Sequence, residues 1–242
     1  MHRTRLVAAV VSSSILLVLA GGAFGEDQKH DPANIVKPFN GKNLDGWKLK
    51  GPADRSKWVV GLAKIDPDNP RNFVVAPCDG APGEMINAVP HSLDIYTEQK
   101  FGDCTISLGF MVPRGSNSGV YAMGEYEVQI LDSYGKKQVG TGDLGGIYAV
   151  AAPRVNAARK PGEWQTLFID FKAPKFKNGK KIANARFVKI VLNDQVIHEN
   201  VEMTTRGGGG VTGKEAPTGP LMFQGNHGVV AYRNIKITLP PE

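Results

Sequence analysis

Cysteine is scarce in this 242-residue chain: Cys78 and Cys104 are the only two. No histidine stands at ligand spacing from either, and two thiols cannot build the multi-bridge framework of a disulfide-stapled domain. Apolar periodicity of 3.6 residues is missing, which excludes a helical bundle. After Phe24 no apolar run is long enough to cross a bilayer as a helix. Charge of one sign is in only mild excess, with a formal net charge of +6 that falls to +4 without Arg3 and Arg5. The one lysine cluster, KAPKFKNGKK (172–181), does not interleave aromatics as a nucleic-acid platform would, so it reads as a solvated loop and nucleic acid is not an expected partner.

What is present begins with a leader. His2, Arg3 and Arg5 precede a charge-free run from Leu6 to Phe24 that ends Ala23-Phe24-Gly25, which predicts a secretory signal over residues 1–25. Ser12 to Ser14 interrupt the run, and an uncleaved anchor is the alternative. The expectation is an exported protein, periplasmic or extracellular, with no membrane contact once the signal is removed. In an oxidising compartment Cys78 and Cys104 either pair, a constraint of roughly 3 kcal/mol in the chain-entropy picture, or stay apart. Cys104 shares strand parity with Ile106, Leu108 and Phe110, which makes it a core residue.

Glycine (29) and proline (16) punctuate the remainder, and the segments between them alternate with period two. Strands are expected at 58–62, 103–112, 119–123, 126–131, 146–150, 164–171, 186–192, 195–198, 221–224 and 235–239. Many short strands joined by turns predict an all-β, two-layer antiparallel β-sandwich in one domain over residues 26–242. Asn193-Asp194 reads as a tight hairpin and KNGKK as a looser excursion. Val230 and Tyr232 alternate out of step with Ile235, Ile237 and Leu239, so a bulge is expected near Arg233 and Asn234. Residues 63–90 read as a long loop, and RGGGGVTGKEAPTGP (206–220) as a flexible connection.

Within NSGVYAMGEYEVQILDSYG (117–135), Glu125, Glu127 and Gln129 occupy every second position. In a strand these side chains share one face about 6.6 Å apart, while Tyr126, Val128 and Ile130 enter the core. Asn117, Ser118, Asp132, Ser133 and Tyr134 crowd hydroxyl-binding groups around that row, and Tyr121, Tyr148, Trp164 and Tyr232 are available for stacking on a sugar.

These residues resemble the 3-keto-disaccharide hydrolase domain family. FNGKNLDGWK (39–48), IYTEQKFGD (95–103), NSGVY with YEVQILDSYG, GGIY (145–148), VNAARKPGEWQT (155–166) and GPLMFQGNHGVVAYRNIKI (219–237) carry the likeness, in order, along nearly the whole mature chain. The chain departs from the commoner pattern at Cys104, where an aromatic often follows GD, and in the long 63–90 segment. The resemblance implies a concanavalin-like jelly roll whose concave sheet holds a small carbohydrate. For some members it implies cleavage of glycosides oxidised to a ketone at C3; other such domains are non-catalytic carbohydrate-binding modules.

A C3 ketone acidifies the hydrogen on C2, so cleavage by elimination and hydration needs a base, a stabiliser of the enolate oxygen and an acid for the leaving group. Glu127 is assigned as base, with His227 of the GNHG loop as competitor. Asn117, Gln129 and Arg233 are candidates for polarising the ketone or holding hydroxyls; Tyr121, Glu125, Asp132, Tyr148 and Gln224 are further sugar contacts. Ordinary retaining glycosidases need two carboxyls about 5 to 5.5 Å apart, and the position of the third acid in the clan's Glu-x-Asp-x-Glu pattern is Gln129 here, which argues against that chemistry. The residues imply no definite cofactor. Carboxylates with loop carbonyls suit a calcium-class ion, but no continuous calcium loop is present, and the metal question stays open.

Overall fold

A computed structural model describes residues 34–241; the expected leader lies outside them. The period-two pattern produces sixteen short strands and, among the described residues, no α-helix. One sheet of five runs in the order β2 (Trp47–Leu49), β6 (Ile95–Phe101), β15 (Gly219–Phe223), β8 (Asn117–Ala122), β9 (Tyr126–Leu131). The larger sheet facing it runs β14 (Gln195–Met203), β13 (Ala185–Leu192), β10 (Gln165–Lys172), β7 (Cys104–Met111), β16 (Val230–Thr238), β5 (Glu84–Asn87), β3 (Trp58–Ile65), β4 (Phe73–Ala76), and β1 (Ile35–Val36) also pairs with β16. Every pairing is antiparallel. The expected two-layer sandwich is therefore the fold.

Alternation decides which side chains fill the space between the layers. β8 turns Ser118, Val120 and Ala122 inward and β9 turns Tyr126, Val128 and Ile130 inward, against Ile106, Leu108 and Phe110 of β7 and Leu167, Ile169 and Phe171 of β10, all buried. Each large aliphatic or aromatic side chain so buried contributes about 1.5–3 kcal/mol. An aromatic stack ties the layers behind the site: Trp47 lies 5.3 Å from Phe223, Phe223 4.0 Å from Tyr232, and Tyr232 6.4 Å from Trp58. The Tyr232 hydroxyl is satisfied by Ser118 Oγ at 2.9 Å, so Tyr232 is a core residue and not a stacking platform. Trp164 is likewise unavailable, because the Arg233 guanidinium lies 3.9 Å over its ring.

The Asn193-Asp194 turn has φ of 49° and 66°, the left-handed pair that matches hairpin twist. The bulge expected near Arg233 and Asn234 is present as a register shift between Arg233 and Lys236, with Asn234 at φ 54°. Three expectations need correction. The 63–90 segment is no structureless loop, since it completes β3 and forms β4 and β5; its proline and aspartate clusters mark the turns between them. KNGKK is a tight turn, Asn178-Gly179 at φ 52° and 73°, joining the exposed hairpin β11 (Lys175–Lys177) and β12 (Lys180–Ala183). Residues 146–150 form no regular strand; only Ile147 bridges to Val128. Cys78 and Cys104 are both free thiols, and burial pushes Cys104 up to about 12.

Candidate active site

Strand pairing turns the polar alternation into a floor on the outer face of the five-stranded sheet. Lys48 on β2 pairs with Tyr96 on β6, Tyr96 with Met222 on β15, Met222 with Tyr121 on β8, and Tyr121 with Glu127 on β9. A second line lies one side-chain step along the strands. Lys50 N donates to Asp94 O at 2.9 Å, Gln224 N donates to Gly119 O at 3.0 Å, and Gly119 pairs with Gln129. Gly119 leaves a gap in this second line, and Glu127 fills it: a Cβ on Gly119 would stand 2.3 Å from Glu127 Oε1.

Three loops wall the floor. Gly145 to Tyr148 bind the free edge of β9, with Gly145 N donating to Gln129 O at 2.8 Å, Gln129 N to Gly146 O at 2.8 Å, and Tyr148 N to Glu127 O at 3.1 Å. The loop after β15 brings Asn226 and His227 to the rim, in contact through Oδ1 and Nδ1. Gly208 to Gly210 close the third side, and the enclosed cleft is about 280 Å³.

Its lining is rich in acceptors. Asn117 Oδ1, Gln129 Oε1 and Gln224 Oε1 are buried and have no hydrogen-bond partner among the described residues, although Gln129 Nε2 donates to Gly142 O at 3.2 Å and Gln224 Nε2 to Tyr121 Oη at 3.1 Å. An unpaired buried acceptor costs about 1–3 kcal/mol, so three in one cleft await donors such as sugar hydroxyls. Glu127 is only 4 % exposed. Burial pushes its carboxyl up to about 7; hydrogen bonding from Tyr121 opposes the shift, and the Asp94 charge adds to it. Burial together with the Glu127 charge drives the Tyr121 hydroxyl well above its usual range, so it stays a donor. Asp94 Oδ1 accepts from Gly225 N at 3.1 Å, and Lys50 Nζ lies 3.9 Å from Asp94 Oδ2.

Of the residues expected at the site, Glu127, His227, Asn117, Tyr121, Gln129, Tyr148 and Gln224 line this one cleft. Glu125, Asp132 and Arg233 do not. Glu125 precedes β9 and turns under the glycine-rich loop, where it accepts from Arg206 Nη1 at 3.0 Å, Thr212 N and Oγ1 at 2.7 Å each, and Gly213 N at 3.1 Å. Asp132 holds a turn, accepting from Gly115 N at 2.9 Å. Arg233 sits on the larger sheet, 3.8 Å from Glu84. The segment read as a flexible connection is thus an anchored wall. Glu125→Ala is expected to lower stability by about 2–4 kcal/mol, because it strands a part-buried guanidinium and the donors of Thr212 and Gly213; chemical denaturation, with proteolysis at 206–214, measures it. Lys50, Asp94 and Asn226 were missed. Lys50 and Asp94 lie just outside β2 and β6 on the face of Lys48 and Tyr96, so extending the alternation past those short strands was the only signal.

A sequence profile of the 3-keto-alpha-glucoside-1,2-lyase-like domain matches residues 34–238. A crystal structure of a "putative glycosyl hydrolase" from Parabacteroides distasonis superposes with a TM-score of 0.65 at 27 % identity, covering 87 % of this chain and 86 % of that one. A second so described, from the same organism, gives 0.58 at 20 % identity over 86 % and 95 %. No curated protein matches the sequence.

Proposed function

Because this chain belongs to the 3-keto-alpha-glucoside-1,2-lyase-like family, which is carbohydrate-active and glycosyl-hydrolase-like, we propose that its cleft takes a glycoside oxidised to a ketone at C3 and breaks the C1–O bond by elimination. The Glu127 carboxylate takes the proton from C2, and the electron pair of that C–H bond passes into an enolate whose charge rests on the C3 oxygen. Collapse of the enolate forms the C1–C2 double bond and expels the C1 substituent, which leaves as an alcohol after protonation. Water then adds to the enone, and the net change is hydrolysis.

The observation that carries the reading is Glu127 itself: a carboxylate buried at the centre of a hydroxyl-seeking cleft, raised to about 7, where a general base is both ionised and strong at neutral pH. The Asn117 amide nitrogen supplies the donor toward the ketone oxygen, the free Oε1 of Gln129 accepts from a sugar hydroxyl, and His227, at the exposed rim, protonates the leaving group. The leader implies that this happens after export. The test is a product assay of the mature domain on 3-keto-disaccharides beside their unoxidised parents. Turnover of the oxidised sugars alone is expected; turnover of neither overturns the reading.

Base catalysis by Glu127 also sets the pH profile. The ionised form is the active one, so kcat/KM rises with pH toward about 7 and falls about tenfold per pH unit on the acid side. A flat profile from about pH 5 to 9 would exclude Glu127 as the base.

The unpaired acceptors favour a second use of the same site. A non-catalytic binding module needs the acceptors and the tyrosines but no titrating base, and binding of unoxidised glycans unaffected by Glu127→Gln would assign it. The same oxygens suit a calcium-class ion; turnover lost on chelation and restored by calcium would place a metal among them.

A further inference from the structure

Asp94 and Lys50 line the Glu127 cleft but take no part in the proposed elimination. They stand opposite each other where β2 and β6 continue past their ends, since Lys50 N donates to Asp94 O at 2.9 Å. Both side chains lie on the outer face, on the parity of Lys48 and Tyr96. Asp94 is only 7 % exposed, and its Oδ1 accepts from Gly225 N at 3.1 Å. Lys50 Nζ donates to Gly210 O, which ties the glycine-rich loop down as a strap across the sheet, and an ammonium keeps two further N–H groups for other partners.

Asp94 Oδ2 and Lys50 Nζ are 3.9 Å apart, beyond direct hydrogen-bond reach. A hydroxyl oxygen about 2.8 Å from each atom fits that spacing, donating its proton to Oδ2 while a lone pair accepts from Nζ. The pair also lies across the cleft from the base. Gln224 N is turned to Gly119 O on β8 and Gly225 N the other way, to Asp94. Glu127 Oε1 lies over Gly119, so the two carboxylates flank the exit of β15 from opposite sides. Their separation is between one and two strand spacings, about 5–10 Å, which a pyranose ring with its hydroxyls spans.

We propose that Asp94 and Lys50 together read one free hydroxyl on the half of the sugar ring away from C2, and so determine which sugars the cleft accepts. The inference rests on the cleft being the sugar site but needs no turnover. With C2 at Glu127, the hydroxyls on the far half of a glucose ring are those at C4 and C6. A hydrogen at the chosen position serves neither partner, and an ether oxygen there has no proton for Oδ2. A sugar joined to a further residue through that oxygen is therefore rejected, and the cleft takes a chain-terminal sugar.

The test is ligand-observed NMR titration of the mature protein with methyl glucoside and its 4-deoxy and 6-deoxy analogues, none of them oxidised. One of the two deoxy sugars is expected to bind about ten- to a hundredfold more weakly than methyl glucoside, as the loss of a hydrogen bond to a charged group dictates, and the methyl ether at that position should bind no better. Asp94→Asn and Lys50→Met should each weaken methyl glucoside and shrink the deoxy penalty to about threefold or less, because a partner of the missing hydroxyl is already gone. Equal binding of all three sugars, a penalty that survives both substitutions, or no binding of methyl glucoside overturns the proposal. Failure of 3-keto-sugar turnover, with the deoxy penalty present in the parent and lost in the variants, would overturn the elimination reading and leave this one standing.

Discussion

Glu127→Gln is expected to lower aglycone release from a 3-keto-glycoside by roughly 10²- to 10⁴-fold, the range a positioned general base contributes. Glutamine keeps the shape and the acceptor oxygen of the side chain and removes only its capacity to take a proton, so kcat should carry the loss and KM should move little. The variant should also be the more stable protein at neutral pH. In the folded state the Glu127 carboxyl titrates at about 7, above its ordinary value of 4.5. Between those values the folded chain holds more protons than the unfolded one, so stability falls as pH rises through that window. Above it the buried carboxylate costs about 3 kcal/mol. The neutral amide escapes that cost, so chemical denaturation should find the variant more stable at about pH 8 and no more stable than the parent at about pH 4. Full activity in the variant removes Glu127 from the mechanism, and a loss of stability on the alkaline side contradicts the burial argument.

Gly119→Ala is expected to lower turnover by about two orders of magnitude while leaving the sandwich assembled. Its new Cβ would meet Glu127 Oε1 at 2.3 Å and Tyr121 Cε2 at 2.8 Å, so the carboxylate must leave the floor, and misplacement by an ångström is enough for such a loss. Ser118 and Val120, which carry the core side of the strand, are untouched, and the cost of overpacking is about 1–3 kcal/mol. A Glu127 pushed toward water loses the burial that raised it, so the acid limb of the remaining kcat/KM profile should move below about pH 7. Unchanged activity with an unchanged profile would show that the carboxylate does not depend on the glycine.

The Glu127 and Gln129 face was legible because the inward partners Tyr126, Val128 and Ile130 are uniformly large and apolar, and a two-residue period assigns the rest to the other face without knowledge of any neighbour. Glu125 obeys the same alternation on paper, but it lies one residue before β9 begins, where the pleat no longer governs direction. Its carboxylate turned instead to the donors of Arg206, Thr212 and Gly213, some eighty residues away. Arg233 failed for a related reason: a bulge sets its strand's direction, and Trp164 lies within its reach.

Local alternation and turn chemistry were enough to specify an all-β sandwich, the Asn193-Asp194 hairpin, the bulge at Arg233, and a polar strand face with Glu127 at its centre. These depend on φ preference and side-chain parity, which each residue carries with it. Only the tertiary structure decided that Lys50, Asp94 and Gln224 come from three other segments to stand beside Glu127, that a run of glycines straps the sheet, and that burial carries one carboxyl to about 7. Strand order, desolvation and the proximity of charges depend on residues distant in the chain, and no local pattern records them.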